Sequence, residues 1–166
     1  MRIAVSDLLF PGFRKFGVRP LSTEYGIEFF YEFGHDYYWD EETAAWGNRE
    51  FSIHGPCVAV DLADKDNLNY LPAFEATFKY AQKIKSQFVV VHTNECLPAD
   101  LKAGQDLVIS RLAELLDMAK AYGVTLVIEN VGLRTKGNVL FTLEEYYALF
   151  ERFPQAMSLI DTGHAH

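Results

Sequence analysis

Six short apolar runs punctuate the chain, and longer stretches with apolar residues every three or four positions separate them. The runs are Ile3-Ala4-Val5, Ile27-Glu28-Phe29-Phe30-Tyr31, Phe51-Ser52-Ile53, Phe88-Val89-Val90-Val91, Val124-Thr125-Leu126-Val127-Ile128 and Met157-Ser158-Leu159-Ile160. The fourth and fifth are β-branched and nearly continuous rather than alternating, the pattern of strands covered on both faces.

Between the runs lie helices. Leu68 to Ser86 places Leu71, Phe74, Phe78, Ala81 and Ile84 at helical spacing, with Pro72 tolerated only because it falls near the start. Leu107 to Tyr122 repeats Leu107, Leu112, Leu115, Leu116 and Ala119, and Gly123 ends it. A third helix starts at Thr142, with Glu145 completing a capping box and Pro154 just past its end. Tyr37 to Trp46 carries a weaker helical pattern. Leu8 to Thr23 contains Pro11, Gly12, Gly17 and Pro20 and reads as a long loop with at most a short helix. Strand alternating with helix means repeated βα units around a parallel sheet. No linker or low-complexity tract interrupts residues 1–166, so a single α/β domain is expected.

Composition narrows the function. Of 166 residues, 49% are hydrophobic, enough for a sizeable core; 15 are basic and 23 acidic, a formal net charge of −8. That balance argues against disorder, against a broadly basic nucleic-acid binder and against binding to an anionic membrane. Cys57 and Cys96 cannot supply a disulfide framework. The start, Met1-Arg2-Ile3-Ala4-Val5-Ser6-Asp7, reaches an acid before an apolar signal segment develops, and no window is long and apolar enough to span a bilayer. A reduced, cytoplasmic location is the resulting expectation.

The chemistry lies in the polar residues that close the runs. The third run ends in His54, the fourth in His92, the fifth in Glu129 and the sixth in Asp161, with His164 three residues on; the second ends at Glu32. The first four are spaced 38, 37 and 32 residues apart, each about one βα unit. In a parallel sheet or barrel, strand C-termini share one rim, where such folds place their sites. Imidazoles and carboxylates converging there suit Zn²⁺, Mn²⁺, Fe²⁺ or Co²⁺ better than Ca²⁺. Singly, each residue has an ordinary reading. A strand-end histidine is commonly a hydrogen-bonded structural residue, Glu129 could pair with a Lys or Arg, and Asp161 could cap a following helix. Four at corresponding positions favour a site.

Other residues carry weaker signals. Cys57 and Cys96 lie just past His54 and His92 and could reach a metal, though a reduced loop thiol is the default. His35 is a pocket-lining or solvent-exposed loop residue, and His166 a terminal residue or a further ligand. Arg134 and Lys136 could hold a phosphate or carboxylate or simply be solvated. Tyr37, Tyr38, Trp39 and Trp46 could wall a sugar or base pocket, although packing is the commoner use of such aromatics.

Val127-Ile128-Glu129-Asn130, followed by Leu159-Ile160-Asp161-Thr162-Gly163-His164, resembles the fifth and sixth strands of the xylose-isomerase-like TIM barrels. Phe51-Ser52-Ile53-His54-Gly55 and Val89-Val90-Val91-His92 resemble the third and fourth. That superfamily includes sugar phosphate isomerases and epimerases and the endonuclease IV class of AP endonucleases. The resemblance implies that Glu129 and Asp161 bind a divalent metal (Mn, Zn, Co or Mg). In epimerase-like members it implies that Glu129 also moves the proton and that His164 contacts substrate. In the nuclease branch it implies that His54, His92, Glu129, Asp161 and His164 all serve a zinc cluster.

Such a barrel has eight strands in about 250 residues, whereas six are legible here, and the superfamily's ligands from strands seven and eight have no counterpart. The expectation is an incomplete (β/α) barrel: a fragment of a longer protein, or a chain whose open edges a partner such as a second copy covers. The leading expected function is a metal-dependent sugar or sugar phosphate isomerase or epimerase acting on a small-molecule sugar. In it Glu129 is the acid–base group, Asp161 anchors the metal, and His54, His92 and His164 bind metal or sugar hydroxyls. An AP endonuclease-type zinc phosphodiesterase is the alternative, and the negative charge weighs against it. An inactive barrel fragment is the third reading.

Overall fold

Each apolar run becomes a strand. A computed structural model describes residues 3–7, 18–132 and 138–164. Its strands are β1 (Ala4–Ser6), β2 (Gly26–Phe30), β3 (Phe51–His54), β4 (Val89–His92), β5 (Leu126–Glu129) and β6 (Met157–Leu159). All neighbours pair in parallel, in the order β1-β2-β3-β4-β5-β6. With helices in the crossovers this is an incomplete α/β barrel, as expected. Among the described strands, β1 and β6 form the two edges.

The helices are α1 (Asp36–Trp46), α2 (Tyr70–Ile84), α3 (Leu101–Tyr122) and α4 (Leu143–Arg152). The helix expected from Leu107 starts six residues earlier. Asp100 caps it by accepting the Ala103 amide, and its first turn carries too few apolar residues to announce itself. Gly123 ends it in the left-handed conformation, and the Thr142–Glu145 capping box opens α4. The run at Val124 enters the sheet only at Leu126, because Gly123 and Val124 close α3.

Alternate strand residues face two interiors. Ile27, Phe29, Ile53, Val89, Val91, Leu126 and Ile128 pack outward against Trp39, Trp46, Phe74, Phe78 and Leu112 from the helices, forming the main core. Each such fully buried side chain contributes about 1.5–3 kcal/mol. The strand registers Phe30↔His54, His54↔Val90, Val90↔Val127 and His92↔Glu129 put those residues on the opposite, inner face. The polar ends of the strands therefore gather inside the arc, above the buried Val90 and Val127.

The loops after β3 and β4 are tied to the helical layer. Arg111 of α3 is buried and donates to the carbonyls of Asp61, Leu62 and Asp64 (3.2, 3.2 and 2.7 Å), with its guanidinium 4.5 Å over Tyr70. Asp61 in turn accepts the Cys96 amide at 2.9 Å. The backbones beyond His54 and His92 are thus fixed to each other and to α3.

Candidate metal centre

His54 leaves β3 where Gly55 donates its amide to Val90 O at 2.9 Å. A β-carbon at Gly55 would stand 2.6 Å from that oxygen, so only glycine permits the approach. His54 Nδ1 lies 2.9 Å from Gly55 O, and a carbonyl only accepts, so Nδ1 carries the proton. His92 Nδ1 lies 2.7 Å from Glu95 Oε1 and likewise donates. Both rings are therefore fixed with Nε2 directed inward.

The two Nε2 atoms stand 3.1 Å apart. Glu129 Oε2 is 3.3 Å from His92 Nε2 and 3.6 Å from His54 Nε2. With neutral rings, three lone pairs converge on one point and no proton lies between them. Such an arrangement is stable only around a positive charge. The donor set, two imidazoles and a carboxylate with their outer nitrogens hydrogen-bonded, fits a divalent cation of the Zn²⁺ or Mn²⁺ type.

The electrostatics agree. Burial works against a charge on His92, but its bonds with Cys57, Glu129 and Glu95 outweigh that cost and lift its pKa to about 11. Burial would raise Glu129, yet His54 and His92 hold it down to about 2. A proton, the smallest cation, is thus gripped at the point where the lone pairs meet.

A second trio shares Glu129. Ligand atoms of Glu129, Asp161 and His164 lie within 4.8 Å of one another. His164 Nδ1 is 3.3 Å from Glu129 Oε1 and 3.6 Å from Asp161 Oδ2, and it donates to Asn130 O at 2.9 Å. Asn130 clamps this segment: its side chain donates to Asp161 O and accepts the Asp161 amide, at 3.1 and 2.7 Å. Gly132 completes the fit, since a β-carbon there would stand 2.7 Å from His164 Cα. Asp161 also accepts the Gly163 amide, so the capping reading of this residue holds together with its place in the trio.

All five residues expected at the rim are therefore brought together. For Glu129 the salt bridge to Lys or Arg is replaced, among the described residues, by contacts to histidines. Phe30 stacks on His54 (centroids 4.9 Å apart, 30°) and, with Glu32, His35, Tyr38, Trp39 and Val58, lines an adjoining cavity of about 500 Å³. Trp39 and Trp46 are core residues, packed on Phe29, and Tyr37 is exposed. Cys57 is half-buried and Cys96 exposed, both free thiols. Arg134, Lys136 and His166 lie outside the described residues.

Four positions escaped sequence reasoning. Glu95 and Asn130 orient the ligand set; their signal was a polar residue within three positions of a strand-end ligand. Asp7 is buried, and that burial, opposed by the Phe30 amide and helped by nearby Glu28, raises its pKa to about 6. Glu28 projects inward from β2 and is also raised, chiefly by burial. For Glu28 a lone acid inside an apolar run was the available sign.

Comparison with known proteins identifies the family. A family model described as xylose isomerase-like TIM barrel matches residues 26–166. The chain belongs to that family. A search of curated proteins found no significant match. Among solved structures, a D-tagatose 3-epimerase-like protein aligns over 99% of this chain and 66% of its own, with TM-score 0.71 and 19% identity. A Thermus thermophilus protein soaked with ZnCl₂ aligns over 99% and 67% (TM-score 0.67, 18% identity). An AP endonuclease, family 2, from Brucella melitensis aligns over 84% and 58% (TM-score 0.66, 17% identity). These likenesses establish the fold, and the chain spans about two thirds or less of each protein's length. Among the described residues of this xylose isomerase-like barrel, no helix is long and apolar enough to cross a membrane.

Proposed function

We propose that this chain carries the metal-binding half of a sugar or sugar phosphate isomerase or epimerase that works by proton transfer beside a carbonyl. The observation that carries this reading is the convergence of His54 Nε2, His92 Nε2 and Glu129 Oε2 within 3.1–3.6 Å, with both Nδ1 protons committed elsewhere. A divalent cation bound there would polarise a ketose oxygen and acidify the neighbouring C–H. His54, His92 and Glu129 Oε2 would hold it.

Glu129 serves two sides. Its Oε2 belongs to the inner trio, and its Oε1 faces His164 at 3.3 Å. Oε1 is the atom that would take and return the proton, and being ionised throughout the neutral range it is free to accept. Asp161 and His164 stand on that side, where they would anchor a ligand oxygen or a sugar hydroxyl. Phe30, Tyr38 and Trp39 give the adjoining cavity apolar walls suited to the C–H faces of a sugar. Structural likeness to a D-tagatose 3-epimerase-like protein supports this substrate class.

The test is hydrogen exchange at carbon. Ketoses incubated in D₂O with the Mn²⁺- or Co²⁺-loaded protein should gain deuterium next to the carbonyl, seen by NMR, and Glu129→Gln should abolish it. Full exchange by that variant would remove Glu129 from the role.

Phosphodiester hydrolysis is a second reading, favoured by one feature: two donor trios sharing the carboxylate of Glu129, an arrangement suited to more than one metal ion. Cleavage of abasic-site DNA by the zinc-loaded protein, without sugar exchange, would select it. The net charge of −8 opposes it.

A further inference from the structure

One cluster at the rim shares only His92 with the proposed reaction. Cys57, His92 and Glu95 present a sulfur, a nitrogen and an oxygen that all lie within 4.8 Å of one another, and all three side chains are partly accessible. Tetrahedral coordination with metal–sulfur and metal–nitrogen bonds of about 2.3 and 2.0 Å brings donor atoms to separations in that range.

Each donor is held from outside the cluster. Glu32 Oε1 accepts the amides of Cys57 and Val58 at 3.1 and 2.9 Å, fixing the loop after β3. Asp61 fixes the loop after β4 through the Cys96 amide, and Arg111 pins Asp61's own loop. His92 is set by β4, and its Nδ1 side faces Glu95.

We propose that Cys57, His92 and Glu95 form a second, thiolate-containing cation site for a thiophilic divalent ion such as Zn²⁺, with the His92 ring spanning it and the inner trio. The mixed sulfur, nitrogen and oxygen set suits Zn²⁺ and excludes Mg²⁺ and Ca²⁺, which require oxygen ligands. Loading releases two protons to solvent, one from the Cys57 thiol and one from His92 Nδ1. Their lone pairs pass to the metal, and nothing is oxidised or reduced. The inference rests on the inner-trio reading only through the shared His92.

Co²⁺ is the probe, added to the metal-stripped whole chain and followed by absorption. Nitrogen and oxygen ligation gives weak visible bands, whereas thiolate ligation adds an intense near-ultraviolet charge-transfer band. The wild-type chain should show both, reaching two equivalents. Cys57→Ser should lose the charge-transfer band and keep the visible bands at one equivalent, and Cys96→Ser should keep both. Glu129→Gln should weaken the inner trio and keep the charge-transfer band. Visible bands without charge transfer would overturn the second site and leave the inner one standing. A charge-transfer band that survives Cys57→Ser would overturn it as well. Loss of that band in Glu129→Gln would make Cys57 a ligand of the inner centre and remove the separate site. No Co²⁺ uptake at all would overturn both readings.

Discussion

The two trios on either side of Glu129 are built differently. The inner one comes from β3, β4 and β5, strands paired on both sides, and its side chains are only 9%, 10% and 7% exposed. The outer one draws Asp161 and His164 from just past β6, a three-residue edge strand, and they are 40% and 29% exposed. Inside, register does the work: a strand-end residue on a doubly paired strand has nowhere else to point. Outside, Asn130 does it: its side chain clamps the Asp161 backbone, and its own carbonyl accepts from His164 Nδ1. Precision at the inner trio is thus a property of the sheet, and at the outer trio a property of one asparagine.

The largest break in this comparison is Glu129→Gln, which removes the shared carboxylate. Zn²⁺ affinity should fall by more than about 100-fold and sugar exchange should vanish, as read by calorimetric titration and NMR. Next, His54→Ala or His92→Ala should weaken binding by about 100-fold and His164→Ala by about 10-fold; equal losses would erase the distinction between buried and exposed trios. Asn130→Ala should cost about 10-fold in binding where Asp161 and His164 take part and leave the visible Co²⁺ spectrum of the inner trio unchanged.

The pH dependence of stability sharpens the same contrast. His92 in the metal-free fold has its pKa raised from 6.5 to about 11, so its stabilisation is complete below 6.5 and lost as pH rises through about 11. Glu129 is lowered from 4.5 to about 2, so its share is present above 4.5 and lost as pH falls through about 2. Urea unfolding of the metal-stripped chain should therefore show stability declining from neutral pH upward, and His92→Ala should flatten that decline. The smallest effect is expected at Asp7, whose burial lifts its carboxyl from 3.8 to about 6 and makes its charge costly at neutral pH. Asp7→Asn, which keeps an oxygen for the Phe30 amide, should stabilise the chain by about 1–2 kcal/mol at pH 7 in the same assay.

The contrast also explains what could be read in advance. All six strands and the rim residues His54, His92, Glu129 and Asp161 were legible because continuous apolar runs ending in a polar residue are a local signal with a single structural meaning. The start of α3 was missed because Asp100 and Leu101 carry a cap but no apolar periodicity. Glu95 and Asn130 stood out only as polar residues close to a strand-end ligand, since three-dimensional proximity alone shows which ring nitrogen or carbonyl they meet. Glu28 is an interior acid on β2, signalled only by its place in an apolar run, and Asp7, one residue past β1, has no local sign that separates it from a solvent-facing acid.

We infer that His54, His92 and Glu129 hold a cation where three lone pairs meet. Titrating the metal-stripped chain with ZnCl₂ in a calorimeter tests it most directly. A tight binding step, accompanied by proton release from the His92 ring near neutral pH, is expected also in the Cys57→Ser background, where the inner trio alone remains, and there it should weaken by more than about 100-fold on adding Glu129→Gln. Absence of that step in the wild-type chain, or its survival unchanged in the double variant, would contradict it.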